Sequence, residues 1–305
     1  MNYITILIKI RDKIQSNKLM KKIYKIISKL FKLILPFVDR MAYLKYHNQP
    51  FSNSPKLSKE KYYNLAKQAE INTYSIIDVD SLEKKCGCSI NKNWLNSLAL
   101  QTQIVVKNSP LNYAHGRVLY SVLRSYISTL KENIKTINIL ETGTARGFSA
   151  LCMAKALSDS KVQGSIYTID VLPHYTKMFW NSVADHNEGI QNRNNLLNEW
   201  SDLVERYIVF LQGYTKHLLP KIAFRRINFA FLDGSHTYKD VMFEFYNISQ
   251  FQEKGDIIVF DDYNTKDFPG IVRAINQITN ENKYTIKIVK NEKTFRDYAI
   301  AKKII

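Results

Sequence analysis

Four acidic residues stand at the ends of short apolar runs in the second half of the chain. They are Glu141 after Ile-Leu, Asp170 after Thr-Ile, Asp233 after Phe-Leu and Asp261 after Val-Phe. In an open α/β sheet, ligands bind beyond the carboxyl ends of the strands, so we expect the four side chains to line one crevice. Four carboxylates there repel one another unless cations or hydroxyl donors lie between them. The placement therefore predicts a polar, cationic set of ligands.

A glycine-bearing turn follows the first of these runs, in the sequence ETGTARGFS of residues 141–149. Gly143 and Gly147 bracket the turn, and glycine permits positive φ and a close approach of a ligand to the backbone. The helix predicted over residues 149–157 would direct free N–H groups at a carboxylate or phosphate. An ordinary strand-to-helix turn would also contain two glycines, so the turn alone does not decide between the two interpretations.

Asp170 favours a nucleoside ligand. It follows Glu141 by 29 residues, at the end of the second run, where an acid binds two ribose hydroxyls. Dinucleotide sites also require Gly-x-Gly-x-x-Gly, but this turn has alanine at position 145 and phenylalanine at position 148. The pattern therefore disfavours a pyrophosphate and leaves a nucleoside without one. S-adenosylmethionine is such a nucleoside, and its amino-acid carboxylate is its anionic end.

The elements that must position these residues are predicted by the periodicity of the second half of the chain. Short apolar runs alternate there with helix-length intervals, which predicts a parallel sheet covered by helices on both faces. Two last runs lie six residues apart, too close for a helical crossover, and predict an antiparallel hairpin. The fold class is thus α/β, a doubly wound Rossmann-like sheet with a terminal hairpin. The predicted strands are 137–141, 165–170, 207–211, 227–233, 256–261, 284–289 and 296–302.

The first fifty residues differ from the rest in charge. They hold eleven Lys or Arg and two Asp, so they carry +9 of the net +17. Apolar residues recur over residues 4–38 at three- and four-residue spacing, which predicts an amphipathic basic helix. This helix would either pack on the protein or a dimer partner, or lie on an anionic membrane surface through residues 1–40. Nucleic acid is disfavoured as a partner because few aromatic residues are interleaved with the basic ones.

Composition excludes several classes of protein. A hydrophobic content of 45% and an aromatic content of 12% exclude a wholly disordered chain. Three cysteines cannot form a disulfide framework, and Cys86-Gly-Cys88 lacks the second pair of a zinc site. We therefore predict a cytoplasmic protein, held on the inner face of the membrane if the basic helix binds lipid. The predicted domains are a basic helical extension over 1–50, a helical linker or cap over 51–104 and the α/β domain over 105–305.

The motifs of residues 105–305 resemble a known family. ILETGTARGFS, YTID, FAFLDGSHTYKDV, GDIIVFDDY and the terminal hairpin are similar to class I S-adenosylmethionine-dependent methyltransferases. The third and fourth motifs resemble the metal-dependent O-methyltransferases of the catechol type. They are closer still to the macrocin-type enzymes, which methylate sugar hydroxyls. The resemblance implies a methyl transfer from S-adenosylmethionine to a hydroxyl.

The resemblance also implies the roles of individual residues. Asp233, Asp261 and Asp262 would hold a divalent metal, and His236 would be the base. Carboxylate ligands suit Mg²⁺ better than zinc, and a bound Mg²⁺ lowers the pKa of a coordinated hydroxyl. The implied cofactor contacts are Glu141, Gly143, Thr144, Gly147, Ser149, Asp170 and, at the adenine, Gly213.

Several alternatives stay open at this stage. The acceptor would be a sugar or a glycosylated metabolite, and the alternative is a small phenol. A catalytically inactive protein of the same fold that binds a membrane surface is a further interpretation. His236 would be a hydrogen-bonded bystander if it is not the base. Tyr113 or Arg117 would cover the cofactor or an anionic substrate in one interpretation, but we favour a solvated helix face for both.

Overall fold

The computed structural model describes residues 54–130 and 136–305. The basic helix predicted over residues 4–38, and with it the extension over 1–50, lies outside the described residues. Within residues 54–130 and 136–305, no helix is both long enough and apolar enough to cross a bilayer.

Four helices of residues 54–130 precede the sheet. Their bounds are α1 Lys59–Thr73, α2 Ile77–Cys86, α3 Lys92–Thr102 and α4 Ala114–Ser128. Two of them begin at a side-chain cap, since Ser58 accepts from the backbone N–H of Lys61 and Asn91 accepts from that of Trp94. Three of these helices, α1 to α3, lie within the segment 51–104 that we predicted to be helical.

Seven strands follow the first four helices. They are β1 Thr136–Thr142, β2 Gln163–Asp170, β3 Ile208–Gln212, β4 Phe229–Leu232, β5 Ile257–Tyr263, β6 Tyr284–Val289 and β7 Asp297–Lys303. Each lies within three residues of its predicted bounds. Buried β-branched and aromatic residues make up most of the central strands, as expected for strands covered on both faces.

Six further helices connect and flank the strands. They are α5 Phe148–Asp159, α6 Arg193–Leu196, α7 Ser201–Tyr207, α8 Thr215–Leu218, α9 Tyr238–Ser249 and α10 Pro269–Asn280. Three short 3₁₀ helices add Val183–His186, Asn198–Trp200 and Leu219–Lys221.

The strand order is β3-β2-β1-β4-β5-β7-β6. The first five strands in this order are parallel, and β7 runs antiparallel to both β5 and β6. The predicted Rossmann-like sheet and terminal hairpin are therefore confirmed. The strand order reverses between β1 and β4, which is where an open α/β sheet forms its ligand crevice.

Apolar cores lie on the two faces of the sheet. On one face, α1 to α5 and α7 pack together, and Tyr62, Leu95 and Phe148 are fully or almost fully buried there. On the other face, α9 and α10 pack through residues such as Phe245 and Ile275. The helices of residues 59–102 thus share the first core with the sheet, so this core fixes their position beside the crevice.

Candidate functional site

The turn after β1 requires its glycines. Gly143 has φ +90°, and a Cβ there would lie 2.2 Å from the carbonyl oxygen of Asp233. Gly147 has φ +89° and caps the N-terminus of α5. A side chain at Gly143 would collide with backbone, so only glycine lets the ends of β1 and β4 approach this closely. Gly143 thus has a steric reason to be glycine, while the cofactor contacts of Gly143 and Gly147 stay predictions.

Asp170 fixes the conformation of this turn. Its Oδ2 accepts from the backbone N–H of Ala145 at 2.6 Å, and its Oδ1 accepts from that of Leu172 at 2.7 Å. The first bond holds Ala145 at its φ of +44°, an unusual conformation for a residue with a Cβ. Asp170 therefore organises the backbone in addition to lining the crevice.

A cavity of about 360 Å³ lies beside Asp170. It is lined by Gly143 and Asp170 from the strand ends, by Gly213 and Tyr214 after β3, and by Glu244 of α9. The size is within the range of small-molecule sites, roughly 300–1,000 Å³. Three of the predicted cofactor contacts, Gly143, Asp170 and Gly213, are thus brought together in one cavity.

A second cavity of about 200 Å³ adjoins the first at Gly143. Thr144 and Ser149 line it, together with Asp233, Asp261 and Asp262. The predicted cofactor residues and the predicted metal residues therefore meet in this second cavity, which we call the acid cavity. Glu141 and Gly147 line neither cavity.

Glu141 is a fully buried carboxyl behind the turn. Its Oε2 accepts a hydrogen bond from the Thr168 hydroxyl, while its Oε1 has no partner among the described residues. Burial raises the pKa of the Glu141 carboxyl to about 7. A buried oxygen without a donor is costly, and a cationic ligand group nearby would offset that cost.

These residues fit S-adenosylmethionine. The larger cavity is bounded by an acid and by glycine backbone, as a ribose and adenine require, and the turn before α5 directs N–H groups toward an anion. Glu141 supplies negative charge for a cationic ligand, and its Oε1 lacks a donor among residues 54–130 and 136–305.

Asp233, His236 and Asp262 converge in the acid cavity region. One ligand atom from each lies within 4.8 Å of the others. Asp261 is outside this group of three, and its Oδ1 accepts from the backbone N–H of Asp262 at 2.8 Å. Carboxylate oxygens with one imidazole are donors that a divalent cation accepts. The carboxylates present thus fit a divalent metal, and His236 stands beside Asp233 and Asp262 where we predicted Asp261.

A β-bulge explains how two consecutive acids line one cavity. Successive side chains of a strand point to opposite faces, so Asp261 and Asp262 would normally diverge. The pairing of β5 with β7 shifts register between Phe260 and Tyr263, and Asp262 has φ +55°. A bulge of this kind bends the strand and re-aims a side chain. Both carboxylates therefore line the acid cavity.

The environment of the three aspartates in the acid cavity raises their pKa values. Burial raises the pKa of the Asp233 carboxyl well above its usual range, and the charges of Asp261 and Asp262 raise it further. Burial likewise raises the pKa of Asp261 and Asp262. A cation bound between the three carboxylates would lower their pKa values, since an opposite charge favours the ionised carboxylate.

One family model matches part of the chain. Residues 140–263 match the family model described as a methyltransferase domain. This stretch of the chain therefore resembles a methyltransferase domain. No curated protein matches the chain.

Three solved structures are similar to parts of this chain. The O-methyltransferase TomG from Streptomyces achromogenes, in complex with SAM, has a TM-score of 0.47 at 16% identity over 71% of this chain and 92% of its own. The O-methyltransferase NovP has a TM-score of 0.45 at 18% identity over 61% and 79% of the two chains. The O-methyltransferase from Bacillus cereus, in complex with SAH, has a TM-score of 0.44 at 17% identity over 73% and 91%.

His236 stands at the edge of the group of acids. Its Nε2 lies 3.7 Å from Oδ2 of Asp262, and its ring centroid is 4.4 Å from that of Phe268. Burial lowers the pKa of the imidazole, which favours the neutral form. A neutral imidazole can take a proton or bind a metal, and this position suits either role.

Segments outside the acid-bearing motifs add further residues to the site. Lys107 and Arg296 line the acid cavity, and Nη1 of Arg296 lies 3.2 Å from Oδ1 of Asp262. His115 lines it too, and burial lowers its pKa to about 3. Lys107 and His115 precede the first motif and Arg296 stands just before β7, so the spacing of the acids did not indicate them.

The interpretation of Tyr113 and Arg117 as a solvated helix face was wrong. Both are buried, and the Arg117 guanidinium pairs with Asp80 at 2.7 Å and with Glu83 at 2.5 Å. Arg117 also donates to the carbonyl oxygen of Thr73 at 2.9 Å. The pair of acids lies one helical turn apart on α2, so Arg117 joins α4 to α2 and to the end of α1.

Proposed function

We propose that this protein transfers a methyl group from S-adenosylmethionine to a hydroxyl of a sugar or glycosylated metabolite, with the help of a divalent metal. The observation that carries the proposal is the junction of the two cavities at Gly143. A nucleoside-sized cavity on one side of the turn meets an acid-lined cavity on the other. A methyl donor and a hydroxyl activated by a cation need this arrangement.

The residues of the larger cavity would hold the cofactor. Asp170 would bind the ribose hydroxyls through lone pairs that its two backbone contacts leave free, and Gly213 would leave space for the adenine. Thr144 and Ser149 would bind the amino-acid end, with Glu141 behind them. S-adenosylmethionine supplies a methyl group on a sulfonium, so the protein has only to align it with the acceptor.

The acid group would orient the acceptor hydroxyl. Asp233 and Asp262 would hold Mg²⁺, with Asp261 beside them, and the bound ion would lower the pKa of the hydroxyl. His236 would take the hydroxyl proton at Nε2. Its lowered pKa supports this assignment, because a base must be unprotonated at working pH.

The test is an assay of the purified full chain with methyl-labelled S-adenosylmethionine and a panel of acceptors. The panel contains free sugars, glycosides, small phenols and amines. The proposal predicts label on glycosides or sugars that resists mild base, as an ether does. Label on phenols alone would support methyl transfer but contradict a sugar acceptor. No label on any member of the panel would contradict methyl transfer itself.

We also propose, from the sequence alone, that residues 1–40 attach the protein to the cytoplasmic face of an anionic membrane. The full chain would then sediment with anionic vesicles, less at high salt, and a chain starting at Tyr43 would not. A full-length dimer that does not bind vesicles, and that dissociates on truncation, would instead support packing of the basic helix on a second copy.

A further inference from the structure

A third cavity, of about 450 Å³, lies outside the cofactor and acid cavities. Amide side chains form much of its lining, namely Gln101, Asn187, Gln191, Asn195 and Asn198. We call it the amide cavity. Its volume is within the range of small-molecule sites, roughly 300–1,000 Å³.

Gln191 lies among these amides in an unusual environment. It is 3% exposed, and its Nε2 has no hydrogen-bond partner among the described residues. Its backbone is fixed, because its N–H and carbonyl pair with Met178 and its carbonyl also accepts from Nε1 of Trp180. An unpaired buried donor costs about 1–3 kcal/mol, so a ligand hydroxyl that accepted from it would be favoured.

The charges of the lining indicate which ligand fits. Glu188 and Glu199 contribute carboxylates, and no lysine or arginine among the described residues lines the cavity. Lys59 stands outside the lining and donates to Oδ1 of Asn187 at 2.9 Å. Two carboxylates repel phosphate and carboxylate ligands, so the lining favours a neutral one.

Hydrogen-bonding capacity narrows the class further. Each amide offers two donors and one acceptor, and the carboxylates accept only. Buried Leu196 and Trp200 add apolar surface. A sugar has the complementary character, because its hydroxyls both donate and accept and its ring has an apolar C–H face.

We propose that the amide cavity is a subsite for a neutral sugar residue of the acceptor. Gln101 lines the amide cavity and Gln103 lines the acid cavity, so the C-terminal end of α3 borders both. A glycoside with its reacting hydroxyl at the acids would extend a second sugar residue past this helix end. The link to methyl transfer rests on the proposed function, while the binding of a sugar does not.

Saturation-transfer NMR on the full chain tests the subsite directly. The neutral probes are methyl glycosides of glucose, galactose, rhamnose and N-acetylglucosamine, and the anionic probes are glucose 6-phosphate and glucuronate. We expect at least one neutral glycoside to bind. Asn198→Ala removes an exposed amide of the lining and should weaken glycoside binding about fivefold, which corresponds to the loss of one hydrogen bond. Gln191→Met should weaken glycoside binding at least as much. The control is Asn280→Ala, which removes an exposed amide on α10 and should leave glycoside binding unchanged.

Each outcome decides the proposal. It is overturned if no neutral glycoside binds, if only the anionic probes bind, or if binding is unchanged in both Asn198→Ala and Gln191→Met. Asp262→Asn separates this site from the activity, because it should abolish methyl transfer and leave glycoside binding intact. Glycoside binding without methyl transfer in the wild type would contradict the proposed function and keep the sugar subsite.

Discussion

At the scale of single residues, burial determines what the acids of this site can do. Asp170 is half-buried and fixed by two backbone N–H groups, whereas Glu141 and Asp233 are buried with raised pKa values. Asp170 is therefore suited to neutral hydroxyls, whereas Glu141 and Asp233 are suited to cationic partners. Acids at equivalent strand ends therefore differ in function through their environment.

Asp170→Ala should weaken S-adenosylmethionine binding. Loss of a hydrogen bond to a charged group removes about 1.5–3 kcal/mol, which is a roughly 10- to 100-fold rise in Kd. Calorimetry measures the change, and Asp202→Ala, an exposed acid on α7, is the control. Unchanged affinity in Asp170→Ala would contradict the assignment.

His236→Ala should lower turnover by about 10²–10⁴-fold if the imidazole takes the hydroxyl proton. The affinity for Mn²⁺, measured by electron paramagnetic resonance, should stay the same, because Asp233 and Asp262 remain. A parallel loss of Mn²⁺ affinity would make His236 a metal ligand. Normal turnover and normal Mn²⁺ affinity would make it a bystander.

At the scale of elements, the sequence predicts the strands well and the site geometry in part. Runs of β-branched and aromatic residues indicate the central strands because both faces of these strands are buried. The placement of Asp262 depends instead on a register shift between β5 and β7, which is a tertiary property. Lys107, Arg296 and Glu244 enter the site from segments that only the folded chain brings together, so spacing along the sequence could not reveal them.

The close approach of β1 and β4 gives a prediction for Gly143. Gly143→Ala should abolish cofactor binding and destabilise the fold, because the new Cβ would lie 2.2 Å from the carbonyl oxygen of Asp233. Gly255→Ala is the matched control, since Gly255 has φ +96° and the methyl group of an alanine there would meet nothing within 4 Å beyond its chain neighbours. The control substitution should lower the free energy of unfolding only by the strain of an alanine at positive φ, about 1–2 kcal/mol. Equal losses of unfolding free energy in the two variants would contradict the steric argument.

At the scale of the whole molecule, buried carboxyls should make stability depend on pH. Burial raises the pKa of Glu244 from 4.5 to about 8 and that of Glu141 to about 7. The folded state therefore binds more protons than the unfolded state between these values, and stability falls as pH rises from about 4.5 to 8. Each group contributes a slope of at most about 1.4 kcal/mol per pH unit.

Glu244→Gln should flatten this dependence, because an amide replaces the buried carboxyl without a titratable proton. Urea unfolding at pH 5, 6.5 and 8 measures the slope. Glu205→Gln, at an exposed position of α7, should leave the slope of the wild type. A slope equal to the wild type in Glu244→Gln would contradict the assignment to this carboxyl.

The most direct test of the proposed mechanism is the metal dependence of methyl transfer by the full chain. The measurement follows labelled methyl transfer from S-adenosylmethionine before chelation, in excess chelator and after addition of Mg²⁺ or Mn²⁺. The junction of an acid cavity with a cofactor cavity predicts that chelation abolishes transfer, that the added ion restores it, and that Asp262→Asn resists restoration while still binding the cofactor. Full activity in excess chelator would contradict the mechanism.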